Sequence, residues 1–203
     1  MKLEFRTTAK SEYYETENTT REAFWNLYKP GCDEHLVLHQ LRLSESYIEE
    51  LDHVAIYNGK IIGHVISTRA LIIESTNNQH QVLCVGPLSV LPLFQSKGVG
   101  SQLLNYSIAE ARKQGYCGMI LFGNPNYYHR FGFVNAQKYG ITTRDGQNFE
   151  PFMALELRTK GFDYIKGKFF EDDAFITNEN ELEVFETKFS EKLKGKPKII
   201  LNL

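Results

Sequence analysis

The middle of the chain changes from a strand pattern to a helix pattern across a short loop that contains two glycines. An apolar segment, Leu88 to Leu91, ends at a proline and is followed by the loop residues Gln95 to Gly100. From Val99 to Arg112 the apolar residues recur with a 3.6-residue period, which predicts an amphipathic helix. The first N–H groups of such a helix have no partner within it, and the helix dipole favours negative charge beside them. The arrangement therefore predicts a place where an anion can bind.

The residue types in this loop suit a phosphate or pyrophosphate. Gly98 and Gly100 have no side chain that would block close approach to the backbone, while Lys97 adds positive charge and Gln95 and Ser96 add hydrogen-bond donors. The loop lacks the Walker A pattern, and a leucine replaces the third glycine of the dinucleotide fingerprint GxGxxG. It matches the pattern [QR]xxGx[GA] in full. Taken alone, that short pattern also fits a helix start that binds no ligand.

Composition excludes several classes of function. The formal net charge of −2 leaves no basic surplus for phosphates, so we expect no binding to nucleic acid. We also expect no membrane contact, because no apolar segment is long enough to span a bilayer and the N-terminal residues lack the core of a signal peptide. The three cysteines form no CxxC pair, which favours reduced thiols. These features predict a soluble, cytoplasmic protein with one main domain.

Turn and cap signals divide the rest of the chain into further elements. Asn58-Gly59 between two apolar segments predicts a β-hairpin with a type I′ turn. Asp33 is suited to begin a helix that carries several leucines. Gly86-Pro87 interrupts a β-rich segment, which indicates an edge, a bulge or a point where two strands separate. Phe149 to Leu157 has the pattern of a last strand of the main domain.

The composition changes near residue 160. We expect residues 1–160 to form the main domain and residues 161–203 to form a C-terminal extension. From Glu179 onwards, apolar residues at spacings of three and four predict one amphipathic helix: Leu182, Phe185, Phe189 and Leu193. We expect its apolar face to pack on the main domain. The alternative is a partner surface, such as the contact of a homodimer.

The order of these motifs resembles that of the GCN5-related N-acetyltransferases, the GNAT superfamily. The loop follows GPLSV at residues 86–90, precedes the long helix, and is followed by a strand and then by NPNYYHRFGF at residues 124–133. Within the superfamily the chain is most similar to a group of predicted bacterial acetyltransferases marked by a GPL-V-P strand and a P-YY-RFGF segment. The hairpin IYNGKIIGHVIS and the strand EPFMALEL also fit that group. The resemblance covers about residues 1–160.

The resemblance implies an α/β fold of the α+β type, with a mixed, mostly antiparallel central sheet flanked by helices. It implies acetyl-CoA as the cofactor, with its pyrophosphate on the loop N–H groups and its pantetheine arm paired with the preceding strand as if it were another strand. A separation of strands at Gly86-Pro87 would leave room for that arm. The residues that the resemblance assigns to cofactor binding are Leu88, Ser89, Val90, Gln95, Ser96, Lys97, Gly98, Val99, Gly100 and Ser101.

The same resemblance implies a catalytic tyrosine. The family's tyrosine lies four residues before the glycine of a GF pair, and Tyr128 keeps that spacing. A phenol is protonated at pH 7 and can donate a proton as a thiolate forms. The alternative role, a core aromatic, suits Tyr127 better. Many relatives carry a glutamate base on the central strand, where this chain has no carboxylate, and Glu156 and His64 are candidates to which no role is assigned.

The expected function is transfer of an acetyl group from acetyl-CoA to a primary amine, by direct attack on the thioester. The acceptor is a small molecule or a peptide, and the resemblance implies that its choice depends on the early helices and loops. A non-catalytic acyl-CoA-binding sensor or interaction module is the alternative, and a nucleotide-binding protein is a third. No metal site is expected, because His35 and His39 lie four residues apart but have no third ligand.

Overall fold

The computed structural model describes residues 1–199, and in this part of the chain nine strands form one sheet. The strands are β1 (Glu4–Thr7), β2 (Asp52–Tyr57), β3 (Lys60–Ile73), β4 (Gln79–Val90), β5 (Gly118–Phe122), β6 (Val134–Asn135), β7 (Ile141–Thr142), β8 (Phe152–Glu156) and β9 (Gly167–Phe170). The helices are α1 (Tyr13–Phe24), α2 (Glu34–Leu43), α3 (Val99–Lys113), α4 (Pro125–Tyr128) and α5 (Glu179–Glu186). No helix formed by these residues is both long and apolar enough to cross a bilayer.

The sheet is mixed and mostly antiparallel, which confirms the predicted fold class. Its main path runs β1-β2-β3-β4-β5-β8-β6, and β9 pairs with both β3 and β7. The pairs β4–β5 and β7–β9 are parallel, and the other pairs are antiparallel. The hairpin between β2 and β3 has positive φ angles of 50° at Asn58 and 73° at Gly59, as a type I′ turn requires.

Helices cover both faces of the sheet. Val65 of β3 belongs to the apolar cluster that contains Leu103 and Leu104 of α3. The next residue, Ile66, packs against Leu41 and its neighbours in α2 on the other side. Because successive side chains of a strand point to opposite faces, the sheet lies between α3 on one face and α1 with α2 on the other.

The segment after residue 160 packs on this core. Strand β9 joins the main sheet beside β3, and Phe169 within it is fully buried. Helix α5 places Phe185 against Leu36 of α2. The predicted helix is too long, because α5 ends at Glu186 and Leu193 is 90% exposed.

Beyond α5 the chain continues along the loop between α1 and α2. The indole N–H of Trp25 donates to the Leu193 carbonyl at 3.0 Å. The backbone N–H groups of Lys198 and Ile199 donate to the carbonyls of Asn26 and Leu27 at 2.9 and 2.8 Å. The C-terminal segment is therefore bonded to the α1–α2 loop.

An ion pair fixes α5 to α1. The Arg21 guanidinium, whose side chain is 3% exposed, donates to the Glu186 carboxylate at 2.7 Å and also contacts the ring of Trp25. Removing one partner of a buried pair leaves the other charge uncompensated. We expect Glu186→Ala to lower the free energy of unfolding by about 2 kcal/mol, less than for a fully buried pair because Glu186 is partly exposed.

The matched control is Glu183→Ala, on the exposed face of the same helix, for which we expect a change below about 0.5 kcal/mol. Thermal and urea unfolding of the two variants provide the comparison. Equal stability of both variants would show that the ion pair does not hold the extension in place.

Candidate active site

A cleft of ≈ 800 Å³ opens where β4 and β5 separate. The two strands pair only at Leu83 with Met119 and at Cys84 with Ile120, although β4 continues to Val90. Separation begins at Gly86, where a Cβ atom would lie only 2.7 Å from the Ile66 side chain. Glycine therefore lets β4 pass close to β3 at the point where it leaves β5, as the Gly86-Pro87 signal indicates.

The N-terminus of α3 lies at one end of this cleft. Gly98 precedes the helix with a φ of 82°, a left-handed conformation that glycine adopts without strain. The N–H groups of Val99, Gly100 and Ser101 come first in the helix and have no acceptor within it. A Cβ atom at Gly100 would lie 2.9 Å from the Tyr127 hydroxyl, so glycine allows this hydroxyl to lie beside the first turn of α3. The N–H donors at this helix start suit a diphosphate.

The free edge of β4 supplies a second set of backbone groups. The N–H of Leu91 donates to the Ile62 carbonyl of β3 at 2.9 Å. Because backbone groups alternate in direction along an antiparallel strand, those of Leu88 and Val90 point away from β3 and into the gap left by β5. The Gln95 amide already donates to the Val90 carbonyl at 2.9 Å, which fixes the loop against the strand.

Most of the predicted cofactor-binding residues are brought together by the fold. Those that line the cleft are Leu88, Val90, Gln95, Ser96, Gly98, Val99, Gly100 and Ser101. Two others do not line it. The Ser89 hydroxyl is buried 3.1 Å from that of Thr20, and the Lys97 ammonium group donates to the Leu93 carbonyl at 2.8 Å.

Tyr128 lines the cleft and lies in the segment after β5. Asn124 caps α4 by accepting from the N–H of Asn126 at 3.0 Å. Gly123 leaves room for the Tyr128 ring, since a Cβ atom there would lie 2.3 Å from the ring. Burial, with the nearby Tyr127 and Tyr28, raises the pKa of the Tyr128 hydroxyl above its usual value, so this group keeps its proton at neutral pH.

Sequence reasoning missed the residues that α1, α2 and the loop between them bring to the cleft. Apolar and aromatic side chains from these elements and from the segment after β9 line the cleft: Phe24, Leu27, Tyr28, Val37 and Phe175. Two carboxylates, Glu34 and Glu171, line the same cleft. No motif marks these residues, because their position depends on how α2 packs across β4.

Glu34 is the first residue of α2 and has an unusual environment. Its carboxylate accepts from the Asp33 N–H at 3.2 Å, while the nearby Lys29 pairs with Asp33 instead. Within residues 1–199 no cationic side chain forms a salt bridge with Glu34. Burial, together with the negative charge of Asp33, raises the pKa of Glu34 to about 7. The group can therefore exchange a proton at neutral pH.

The other titratable candidates lie elsewhere. His64 is fully buried and donates to Asp52 at 2.7 Å in the core, and neither it nor Glu156 lines the cleft. Glu156 accepts from the N–H of Phe162 at 3.1 Å. Cys84 lies on the cleft floor, where burial raises the pKa of its thiol well above the usual value and keeps it protonated.

Comparisons with known proteins agree with this geometry. The family model described as an acetyltransferase (GNAT) domain matches residues 50–135. An uncharacterized N-acetyltransferase of Escherichia coli K12, YjhQ, is 34% identical over 89 residues, which make up 44% of this chain and 49% of that protein. The aligned part thus spans about half the length of this curated relative.

Two solved structures share the fold over most of this chain. The GNAT family N-acetyltransferase YhbS from Escherichia coli, in complex with CoA, has a TM-score of 0.75 at 20% identity and covers 86% of this chain and 92% of its own. A GNAT family acetyltransferase from Brucella melitensis, in complex with acetyl-CoA, has a TM-score of 0.69 at 25% identity and covers 86% and 99%. Residues 50–135 thus match a GNAT acetyltransferase domain, and most of the chain shares the fold of these two structures.

Proposed function

We propose that the protein transfers an acetyl group from acetyl-CoA to a primary amine by direct attack on the thioester. The observation that carries the proposal is the meeting of three features in one cleft: the free edge of β4, the first N–H groups of α3 and the side chain of Tyr128. Two solved structures of similar fold contain CoA and acetyl-CoA, which supports the same ligand here.

The residues present fit this cofactor. The N–H groups of Val99, Gly100 and Ser101 would bind the diphosphate at the positive end of the α3 dipole. Arg130 lines the cleft with its guanidinium 4.6 Å from the centre of the Tyr127 ring, and so adds positive charge on that side. The backbone groups of Leu88 and Val90 would bind an extended arm with amide groups as a further strand binds.

Acetyl-CoA, when bound, supplies an acyl group on a sulfur that leaves as a thiolate. Tyr128 holds a proton at this position and donates it as a general acid. Burial raises the pKa of the phenol, and the same apolar surroundings would raise that of the leaving thiol, so proton transfer between them is not opposed. Cys84 stays a neutral thiol and takes no part as a nucleophile.

Release of free thiol from acetyl-CoA tests the proposal. The full chain is mixed with acetyl-CoA and a panel of primary amines: 2-phenylethylamine, spermidine, a lysine-containing peptide and a peptide with a free N-terminus. We expect amine-dependent thiol release with at least one of them. Binding of acetyl-CoA without release across the panel would support the non-catalytic sensor instead. Binding of ATP or NAD that CoA cannot displace would favour a nucleotide-binding protein.

A further inference from the structure

An alkylamine acceptor must lose a proton before it can attack. An amine of this kind has a pKa near 10.4, so it is almost fully protonated at pH 7. The central strand β4 carries no carboxylate that could accept this proton. A carboxylate base would therefore come from another element that reaches the cleft, and Glu34 and Glu171 are the two carboxylates that line it within residues 1–199.

Glu34 is better placed for this role than Glu171. It lines the cleft close to Tyr28, whose pKa is raised by burial and by the Glu34 charge. Tyr28 in turn is close enough to Tyr128 to contribute to the raised pKa of that hydroxyl. Glu34, Tyr28 and Tyr128 all line the same cleft. The charge of Glu171 instead helps to raise the pKa of the buried Cys84 thiol.

Within residues 1–199 no cationic side chain pairs with Glu34, and the nearby Lys29 lowers its pKa only as a minor contribution. The ionisable groups that face it are Tyr28, Lys29, Cys32 and Asp33 in the α1–α2 loop, and Glu171 lines the same cleft from beyond β9. Of these, only Lys29 is cationic, and its ammonium group is paired with Asp33. A half-buried carboxylate without a cation of its own can hold an ammonium group and then take its proton.

We infer that Glu34 is the general base that takes the proton of the acceptor ammonium, and that the acceptor is a primary amine on an apolar arm. The inference rests on the proposed acetyl transfer. Phe24, Leu27 and Val37 would contact the arm, since they are apolar and line the same cleft as Glu34.

The protons balance as follows. The ammonium gives its first proton to the Glu34 carboxylate. The free amine then forms an N–C bond as the C–S bond breaks, and the electron pair of that bond leaves with the sulfur. Tyr128 protonates the sulfur, and the second proton of the nitrogen restores the tyrosine. Glu34 releases its proton to water, so each cycle releases one proton in total.

The test uses the full chain with acetyl-CoA and 2-phenylethylamine, and compares wild type with Glu34→Gln. In the wild type we expect kcat/KM to rise with pH through a pKa of about 7, and this rise forms the acidic limb of the pH profile. In Glu34→Gln we expect kcat to fall about 100-fold and this limb to disappear, while the Kd for acetyl-CoA stays within about twofold. In Glu171→Gln we expect the limb to persist, whatever the rate.

A second measurement needs no turnover. Because the pKa of Glu34 in the folded protein exceeds its usual value of 4.5, the folded state binds more protons and the wild type loses stability as pH rises from about 5 to 7. Glu34→Gln removes this loss, so at pH 8 we expect its Tm to exceed that of the wild type by about 2–6 °C. At pH 4 we expect the two Tm values to be similar.

The outcomes separate the two proposals. A Glu34→Gln enzyme that keeps both its rate and the limb near pH 7 overturns the role of Glu34 and leaves the acetyl transfer intact. A wild type that binds acetyl-CoA but acetylates no amine overturns the transfer, and the role of Glu34 with it.

Discussion

Tyr128→Phe lowers kcat by about 100-fold or more at saturating acetyl-CoA and acceptor, because the variant has no proton to give to the leaving sulfur. The ring contacts remain, since phenylalanine keeps the packing against Tyr127, Phe133 and the backbone of Gly123. We therefore expect the Kd for acetyl-CoA to change by less than about threefold and the Tm by no more than about 3 °C.

Steady-state thiol release and calorimetry on the same preparations measure both effects. Tyr139→Phe is the matched control, because it removes a tyrosine hydroxyl that bonds to Glu156 outside the cleft. We expect this control to keep the wild-type kcat. An unchanged kcat in Tyr128→Phe would exclude the hydroxyl as the general acid.

Gly100→Asp has an equally large effect, on cofactor binding. The new Cβ atom enters the space beside the Tyr127 hydroxyl, at 2.9 Å, and 3.4 Å from Val90. The carboxylate adds a negative charge beside the N–H groups that would bind the diphosphate, where a second anion is repelled. We expect the Kd for acetyl-CoA to rise by about 100-fold or more.

Asn105→Asp is the matched control for this loss. It introduces the same charge at an exposed position of the same helix, farther from its N-terminus. We expect its Kd to change by less than about threefold, because exposed charges at this distance are screened by salt. If Gly100→Asp binds acetyl-CoA as tightly as Asn105→Asp does, the N-terminus of α3 does not hold the diphosphate.

The elements proposed to bind the cofactor could be predicted from the sequence because their signals are local. The turn at Asn58-Gly59 and the period of α3 each depend on a few neighbouring residues. Gly86-Pro87 marks the place where β4 leaves β5. The family resemblance then predicted that these local features lie close to Tyr128, and Tyr128 lines the same cleft in the structure.

The cleft residues that come from α1, α2 and the loop between them could not be predicted in this way. An acidic residue in the first turn, such as Glu34, stabilises a helix N-terminus. The sequence therefore indicates only an ordinary structural role for it. Its place beside the cleft results from the packing of α2 across β4, and its raised pKa results from burial. Both are long-range effects that no short motif records.

The predicted length of the last helix was also wrong, because tertiary contacts end the helix early. The 3.6-residue period continues to Leu193, but α5 ends at Glu186. Arg21 donates to the Ser190 carbonyl and Trp25 to the Leu193 carbonyl, so these groups bond to α1 and its loop. Contacts with the core thus override the local pattern.

Amide NMR of the ¹⁵N-labelled full chain tests the central claim most directly. The claim is that the first N–H groups of α3 bind the diphosphate of the cofactor. On addition of CoA we predict large shifts of the amide resonances of residues 98–101 and of Leu88 and Val90. On addition of pantetheine, which lacks the phosphates, we predict shifts at Leu88 and Val90 alone. The account is contradicted if CoA leaves residues 98–101 unshifted, or if pantetheine shifts them as much as CoA does.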